Sequence, residues 1–322
     1  MTPRHILFAS ALVAAVTVNH PPVHAADRLI AGIVFQQDQF FNGIQSGMKA
    51  SATKAGVELL LANSDFHQEK EISLVDTFVA RGVKAIVISP ISPKGSEQAL
   101  RRASQKGVKI VTYNAPDLPW DFLGANRSSN QADLGRTTGQ VAAAFIKDKL
   151  GGKAKVALLG FRAQSAEGSD MRTNPFLEAA KAGGNEITIV AQQDAWLAER
   201  AVAVARDIIT AHPDLDLIYA ANEGGTVGAV QGVRNAGKQG KIFVFGTDGS
   251  EQLANFLLDN DGVLQATTAQ QPFLMGAQAL DTALELIDGK TVEKTANVPV
   301  LGLNRNDRAA LETYKEDLNK LK

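Results

Sequence analysis

From Leu29 to Thr268, short β-branched or apolar runs alternate with amphipathic stretches of about ten to eighteen residues, and nothing else in the chain restricts its fold so strongly. Strands separated by helix-length connections pair in parallel, because a crossover between parallel neighbours needs a dozen or more residues. The runs that read as strands are Leu29–Phe35, Val57–Asn63, Ala85–Ser89, Lys109–Tyr113, Lys155–Leu159, Glu186–Ala191, Leu217–Ala220, Ile242–Gly246 and Gly262–Thr268. Between them the apolar positions follow helical spacing. In Glu69–Arg81, for example, Ile72, Val75, Phe78 and Val79 fall on one face. Gly56, Gly82, Gly107, Gly183 and Gly289 stand where such helices end, at the left-handed position that favours glycine.

So many strands and helices exceed one open sheet, and a seam shows at PDLPWDFLGANRSSNQADLG (116–135), with similar strand–helix units on either side. The chain is therefore expected to be α/β, with two similar doubly wound parallel-sheet lobes. TTAQQPF and VPVLGLN read as extended crossings back between them, so a helix from about Pro272 to Asp288 would complete the first lobe. The expected division is residues 26–126 plus 271–300 for the N-terminal lobe, and 127–270 plus 301–322 for the C-terminal lobe. Crossings near Asn126, Gln270 and Leu301 would form the hinge, with the ligand in the cleft between the lobes. DRAALETYKEDLNKLK reads as a charged C-terminal helix.

Residues 1–25 have the parts of a cleavable secretory leader: a weakly basic start at Arg4 and His5, an apolar core from Ile6 to Val18, and Val23-His24-Ala25 before the cut. That core is too short to span a bilayer. The mature chain is expected to begin at Ala26 and to reside in the periplasm. The sequence contains no cysteine, so it relies on its core rather than on disulfides and offers no site for lipid attachment at cysteine. Without the leader, 32 basic residues face 34 acidic ones, which leaves no basic footprint for nucleic acid. His67 and His212 are the histidines that remain, both in polar settings, and nothing in the sequence calls for a metal, a cofactor or a catalytic triad.

In open parallel sheets, ligands sit beyond the carboxyl ends of the strands. The residues just after each strand are Gln36-Gln37-Asp38, Asn63-Ser64-Asp65, Ser89-Pro90, Asn114-Ala115, Asn222-Glu223, Asp248-Gly249 and Gln270-Gln271. Acids and amides dominate this set. They suit vicinal hydroxyls, whereas a phosphate or carboxylate ligand would call for several Arg or Lys. Phe40 and Phe41 follow the first strand directly, where a flat ring can cover the C–H face of a sugar.

Taken together, TAHPDLDLIYAANEGGTVGAVQGVRNAG, IFVFGTDGSEQL and LQATTAQQP, with the opening strand and its paired phenylalanines, resemble the ribose-binding protein family of bacterial ABC importers over nearly the whole mature chain. The resemblance implies the type I periplasmic binding fold, capture of a neutral monosaccharide or polyol, and delivery to an inner-membrane permease. It implies no cofactor and no catalysis. Carried over by motif, the ligand residues would be Asp38, Phe40 and Phe41 from the first lobe, Arg172 in SDMRTNPF, Trp196 in QDAWLAER, Asn222, Asp248 and Gln270. Trp196 would face the phenylalanines across the ligand. Asn114-Ala115 stands where the ribose binder has an Asp-Arg pair, and Asp38 replaces a family Asn, so the ligand is expected to differ from ribose; Trp120, in a long DLPWD loop, reads as a packing residue near the hinge, with reach into the freed space as the alternative. Two other readings remain open at this point. A sensor would present the bound sugar to a chemoreceptor, and an exported sugar enzyme would use two of Asp38, Glu223 and Asp248 as an acid–base pair.

Overall fold

A computed structural model describes residues 28–320. The leader expected at 1–25 and the mature start at Ala26 lie outside the described residues, as do the last two residues of the expected C-terminal helix. The chain opens with β1 (Ile30–Val34), α1 (Gln39–Ala55), β2 (Leu59–Asn63), α2 (Gln68–Ala80), β3 (Ala85–Ile88), α3 (Pro93–Gln105), β4 (Lys109–Tyr113) and β5 (Ala125–Ser128). It continues with α4 (Gln131–Leu150), β6 (Lys153–Gly160), α5 (Ala166–Ala180), β7 (Glu186–Asp194), α6 (Ala198–Ala211), β8 (Leu217–Ala220) and α7 (Glu223–Asn235). Then come β9 (Phe243–Thr247), α8 (Glu251–Leu258), β10 (Leu264–Ala269), α9 (Pro272–Ile287), β11 (Thr295–Asn297), β12 (Leu301–Asn304) and α10 (Arg308–Lys320).

The strands form two six-stranded sheets, ordered β11-β5-β4-β3-β1-β2 and β12-β10-β9-β8-β6-β7. The two orders are the same winding, one strand for one strand. β10 pairs antiparallel with β12; the other pairings among the described residues are parallel. Both faces of each sheet are covered, which is why β1, β3 and β8 carry continuous apolar runs rather than an alternating pattern. In the first lobe, α1 and α9 bury Ile44, Met48 and Leu280 against Ile30, Val87 and Val111. On the opposite face, α2 and α3 bury Val75, Phe78 and Leu100 against Ile33, Ile86 and Ile110. In the second lobe, α6, α7, α8 and α10 cover one face and α4 and α5 the other.

The chain passes between the sheets three times: from β5 into α4 at Ser129-Asn130, from β10 into α9 at Gln270-Gln271, and from β11 into β12 across 298–300. Three strands were absent from the sequence reading. β5 is polar in sequence, yet Asn126 and Arg127 are buried because hydrogen bonds satisfy them. The Asn126 amide bonds Thr112 and the Ala115 carbonyl, while Arg127 donates to Thr282 and the Glu293 carbonyl. β5 keeps its place in the first sheet through Ser128, two residues past the position expected for the crossing. β11 and β12 are short edge strands, and VPVLGLN is a crossing only in its first part.

Close helix packing sets one site residue. A Cβ on Gly135 of α4 would lie 1.9 Å from the carbonyl oxygen of Arg172 on α5, so only glycine permits this approach. Gly135→Ala is expected to destabilise the protein by about 1–3 kcal/mol, the usual range for overpacking, and to move Arg172 off its partners. Urea denaturation checks the first effect, and an unchanged midpoint would contradict the close approach.

Candidate functional site

The carboxyl ends of strands from both sheets face one cavity of about 330 Å³, lined by residues of both lobes. Asp38, Phe40, Phe41, Asn114, Arg172, Trp196, Asn222, Asp248 and Gln270 all line it. From the first lobe, Asp38 caps α1: its carboxylate accepts the Phe41 N–H at 2.9 Å and the Gln36 amide. Burial raises the Asp38 carboxyl above the usual range; the bonds from Phe41 and Gln36 oppose this, and the charge of Asp248 adds to it. Asn114 takes a left-handed backbone (φ 47°) after β4, and its buried Oδ1 has no protein partner.

Phe40 and Phe41 are only 8% and 4% exposed and belong to the core of the first lobe. Phe41 packs edge-on to Phe35 with centroids 4.6 Å apart, and Phe40 edge-on to Phe41 at 5.2 Å. The rings therefore reach the cavity as part of a packed aromatic wall rather than as freely projecting plates. Trp196, half-buried in the loop between β7 and α6, lines the cavity from the other lobe. Trp120 does not line it. It is 2% exposed, lies in the first lobe's core and stacks on Phe122 at 5.3 Å, so of the two readings of its loop the packed one holds and the reach into the cleft does not.

The second lobe supplies the charge. Asp248 follows β9 in a left-handed conformation (φ 74°), rare for a residue with a side chain and concentrated at functional sites. Its Oδ1 accepts from Gln270 Nε2 at 2.7 Å, and its Oδ2 accepts from the Glu223 N–H at 2.8 Å and lies 3.8 Å from Arg172 Nη1. The buried Arg172 donates Nε to Gln131 Oε1 and Nη1 to the Ala221 carbonyl, each at 2.8 Å. These bonds fix the guanidinium plane, and among the described residues they use Nε and Nη1 and not Nη2. Asn222 caps α7: its Oδ1 accepts the Gly225 N–H and its Nδ2 donates to the Trp196 carbonyl at 2.9 Å, which ties the tryptophan loop to the helix. Gln270, 2% exposed at a crossing, keeps its Oε1 unpaired. The polar lining thus combines carboxylate and amide acceptors with the guanidinium edge of Arg172 and with amide and hydroxyl donors.

Residues 33–291 match the family described as a periplasmic binding protein domain. The chain belongs to that family. It is 31% identical to the ABC transporter periplasmic-binding protein YphF of Escherichia coli (strain K12) over 281 residues, 84% of each chain. It is 29% identical to the ribose import binding protein RbsB of Bacillus subtilis over 262 residues, 81% of this chain and 82% of the other. An ABC transporter periplasmic solute binding protein from Actinobacillus succinogenes, solved with bound D-allose, superposes with a TM-score of 0.79 at 25% identity, covering 88% of this chain and 99% of that one. The two-lobed α/β fold expected from the resemblance is the fold observed. The family consists of binding proteins rather than enzymes.

Sequence reasoning missed Gln131, and it named Glu223 only among the residues after strands and as a candidate acid–base group. Gln131 begins α4 directly after its cap Asn130 and receives Arg172 from a different helix, a contact that no local motif announces. Glu223 stands in the set of residues after strands, but its charge state depends on burial. Its carboxyl is pushed up to about 8, first by burial and then by the charges of Asp248 and Asp38, while a bond with Ser250 opposes the rise. Between about 4.5 and 8 the folded protein holds a proton that the unfolded chain releases. Glu223 therefore contributes stability that is full below the lower value and is lost as pH rises through the upper one. Melting temperature should fall more for wild type than for Glu223→Gln between about pH 5 and pH 8. Parallel curves for the two proteins would contradict a protonated Glu223.

Proposed function

We propose that the protein is a periplasmic solute receptor that captures one neutral monosaccharide or polyol in the cleft and delivers it to the permease of an ABC importer. The observation that carries this reading is the cavity itself: carboxylates and amides from the two lobes surround a space with a single guanidinium and an aromatic wall. Hydroxyl groups answer such a lining because each can donate to the carboxylates and unpaired carbonyl oxygens while accepting from Arg172. The relatives support it through the ligands in their names, ribose and D-allose. Ala115 in place of an arginine widens the wall near Asn114 and favours a ligand other than ribose. Asp38, Phe40, Phe41 and Asn114 then hold the sugar from one side, and Arg172, Trp196, Asn222, Asp248 and Gln270 from the other.

The reading includes export by the leader at residues 1–25, and presentation of the closed form to the permease and to a chemoreceptor where one is present. It excludes turnover, so a bound sugar should be recovered chemically unchanged. The deciding experiment is a thermal-shift screen over pentoses, hexoses and polyols. A true ligand at 100 times its Kd adds roughly 2.7 kcal/mol to stability, and a panel without any shift would sink the sugar reading.

Closure is the second expected result. The lobes meet through three short crossings, two of them anchored by side chains: Gln131 Nε2 donates to the Ser129 carbonyl at 3.1 Å and Gln271 Nε2 to the Pro299 carbonyl at 2.9 Å. Small-angle scattering should show a smaller radius of gyration when the sugar found in the screen is added. An unchanged profile at saturation would mean a rigid cleft.

A further inference from the structure

The wall of the cleft formed by Ser89, Pro90, Ile91, Ser92 and Pro93 carries two prolines, which have no N–H to tie it down. It is tied instead from behind. Glu71, on α2, is 1% exposed and does not line the cavity. Its Oε2 accepts the Ile91 N–H at 2.9 Å; its Oε1 accepts the Ser96 hydroxyl and the Gln68 amide, the latter at 3.0 Å. Ile91 precedes the cap of α3 and Ser96 lies in its first turn, so one carboxylate grips that helix start from both sides. Burying a carboxylate is costly unless its oxygens are bonded. Burial does raise the Glu71 carboxyl above its usual range, against the bonds from Ser96, Ile91 and Gln68. An apolar residue would fill the same space at less cost, and a buried acid that bonds both Ile91 and Ser96 across to α2 is therefore a device for placing that wall.

We propose that Glu71 is a positioning residue of the binding cleft: it holds the Ser89–Pro93 wall at a fixed distance from the ligand and so sets which sugars fit. The selectivity part rests on the sugar reading above; the holding part does not.

The test combines amide exchange and calorimetry on the full chain carrying Glu71→Ala or Glu71→Gln. In Glu71→Ala, amides of 91–96 should exchange at least about tenfold faster, the loss of a hydrogen bond to a charged group, while β1 and β3 keep wild-type protection. The ratio of affinities between the two tightest sugars of the pentose, hexose and polyol panel should narrow by a similar factor. Glu71→Gln keeps one carbonyl acceptor for Ile91 and should recover most of both effects. A merely structural role would lower stability without moving that ratio. Wild-type exchange at 91–96 in Glu71→Ala overturns the proposal, and so does faster exchange with an unchanged ratio. If Glu71→Ala does not fold, Glu71→Gln must still show partial loss of protection at Ile91, or the proposal fails. A wild type that binds nothing in the panel refutes the sugar reading, and the exchange result alone then decides whether Glu71 holds the wall.

Discussion

Replacing Arg172 by alanine should weaken sugar binding by roughly 10–150-fold, which corresponds to about 1.5–3 kcal/mol for hydrogen bonds made by a charged group. Among the described residues the guanidinium is the only cationic group lining the cavity, and Gln131 and the Ala221 carbonyl already hold its plane, so its free edge meets a ligand with no reorganisation. Arg172→Lys keeps the charge but not the fork: one ammonium cannot reach Gln131, Ala221 and the ligand together. Its affinity should fall between those of wild type and Arg172→Ala. The alanine variant should also lose stability, because Asp248 stays buried without its cation 3.8 Å away. At that separation the loss belongs near or below about 3 kcal/mol, the low end for a broken buried pair. Calorimetry with the sugar from the screen decides the matter, and wild-type affinity in Arg172→Ala would remove Arg172 from the site.

A second large effect is expected at Asp248. Alanine there deprives the Glu223 N–H and the Gln270 amide of their acceptor, uncovers the charge of Arg172 and places a Cβ-bearing residue without a short polar side chain at φ 74°. Asp248→Ala should cost about 3–5 kcal/mol of stability and bring binding below detection at ligand concentrations that saturate the wild type. Asp248→Asn should be much milder. Asparagine tolerates the left-handed backbone, and the unpaired Oε1 of Gln270 can turn to accept from the new amide. Affinity still drops, since the variant leaves Arg172 uncompensated. If both variants bind as tightly as the wild type, the charge of Asp248 is irrelevant to binding.

The two-lobed winding was legible because parallel βα units leave a strong periodic trace, and the residues after the strands were legible because the fold dictates where ligands sit. What escaped is physical rather than accidental. β5 reads Ala-Asn-Arg-Ser and has no apolar face; its polar side chains are buried only because Thr112, Thr282 and two backbone carbonyls wait for them elsewhere in the chain. Phe40 and Phe41 line the cavity, but their exposure depends on how the Asp38 cap turns the first helix, which no local pattern states. The carboxyl of Glu223 is a collective property of burial and two neighbouring charges drawn from both lobes.

The threefold crossing also governs when this protein can exist. The first sheet takes its outermost strand from Thr295–Asn297, and one of its faces depends on the packing of α1 against α9, which begins at Pro272. A growing chain that has completed β5 has therefore made most of its first lobe and still cannot close it: the surface that Leu280 and Ala283 will cover stays open until nearly the last helix is synthesised. Contacts of such sequence separation delay folding until late. The distance along the chain between β1 and α9, rather than any local pattern, thus separates the partners that complete the first lobe.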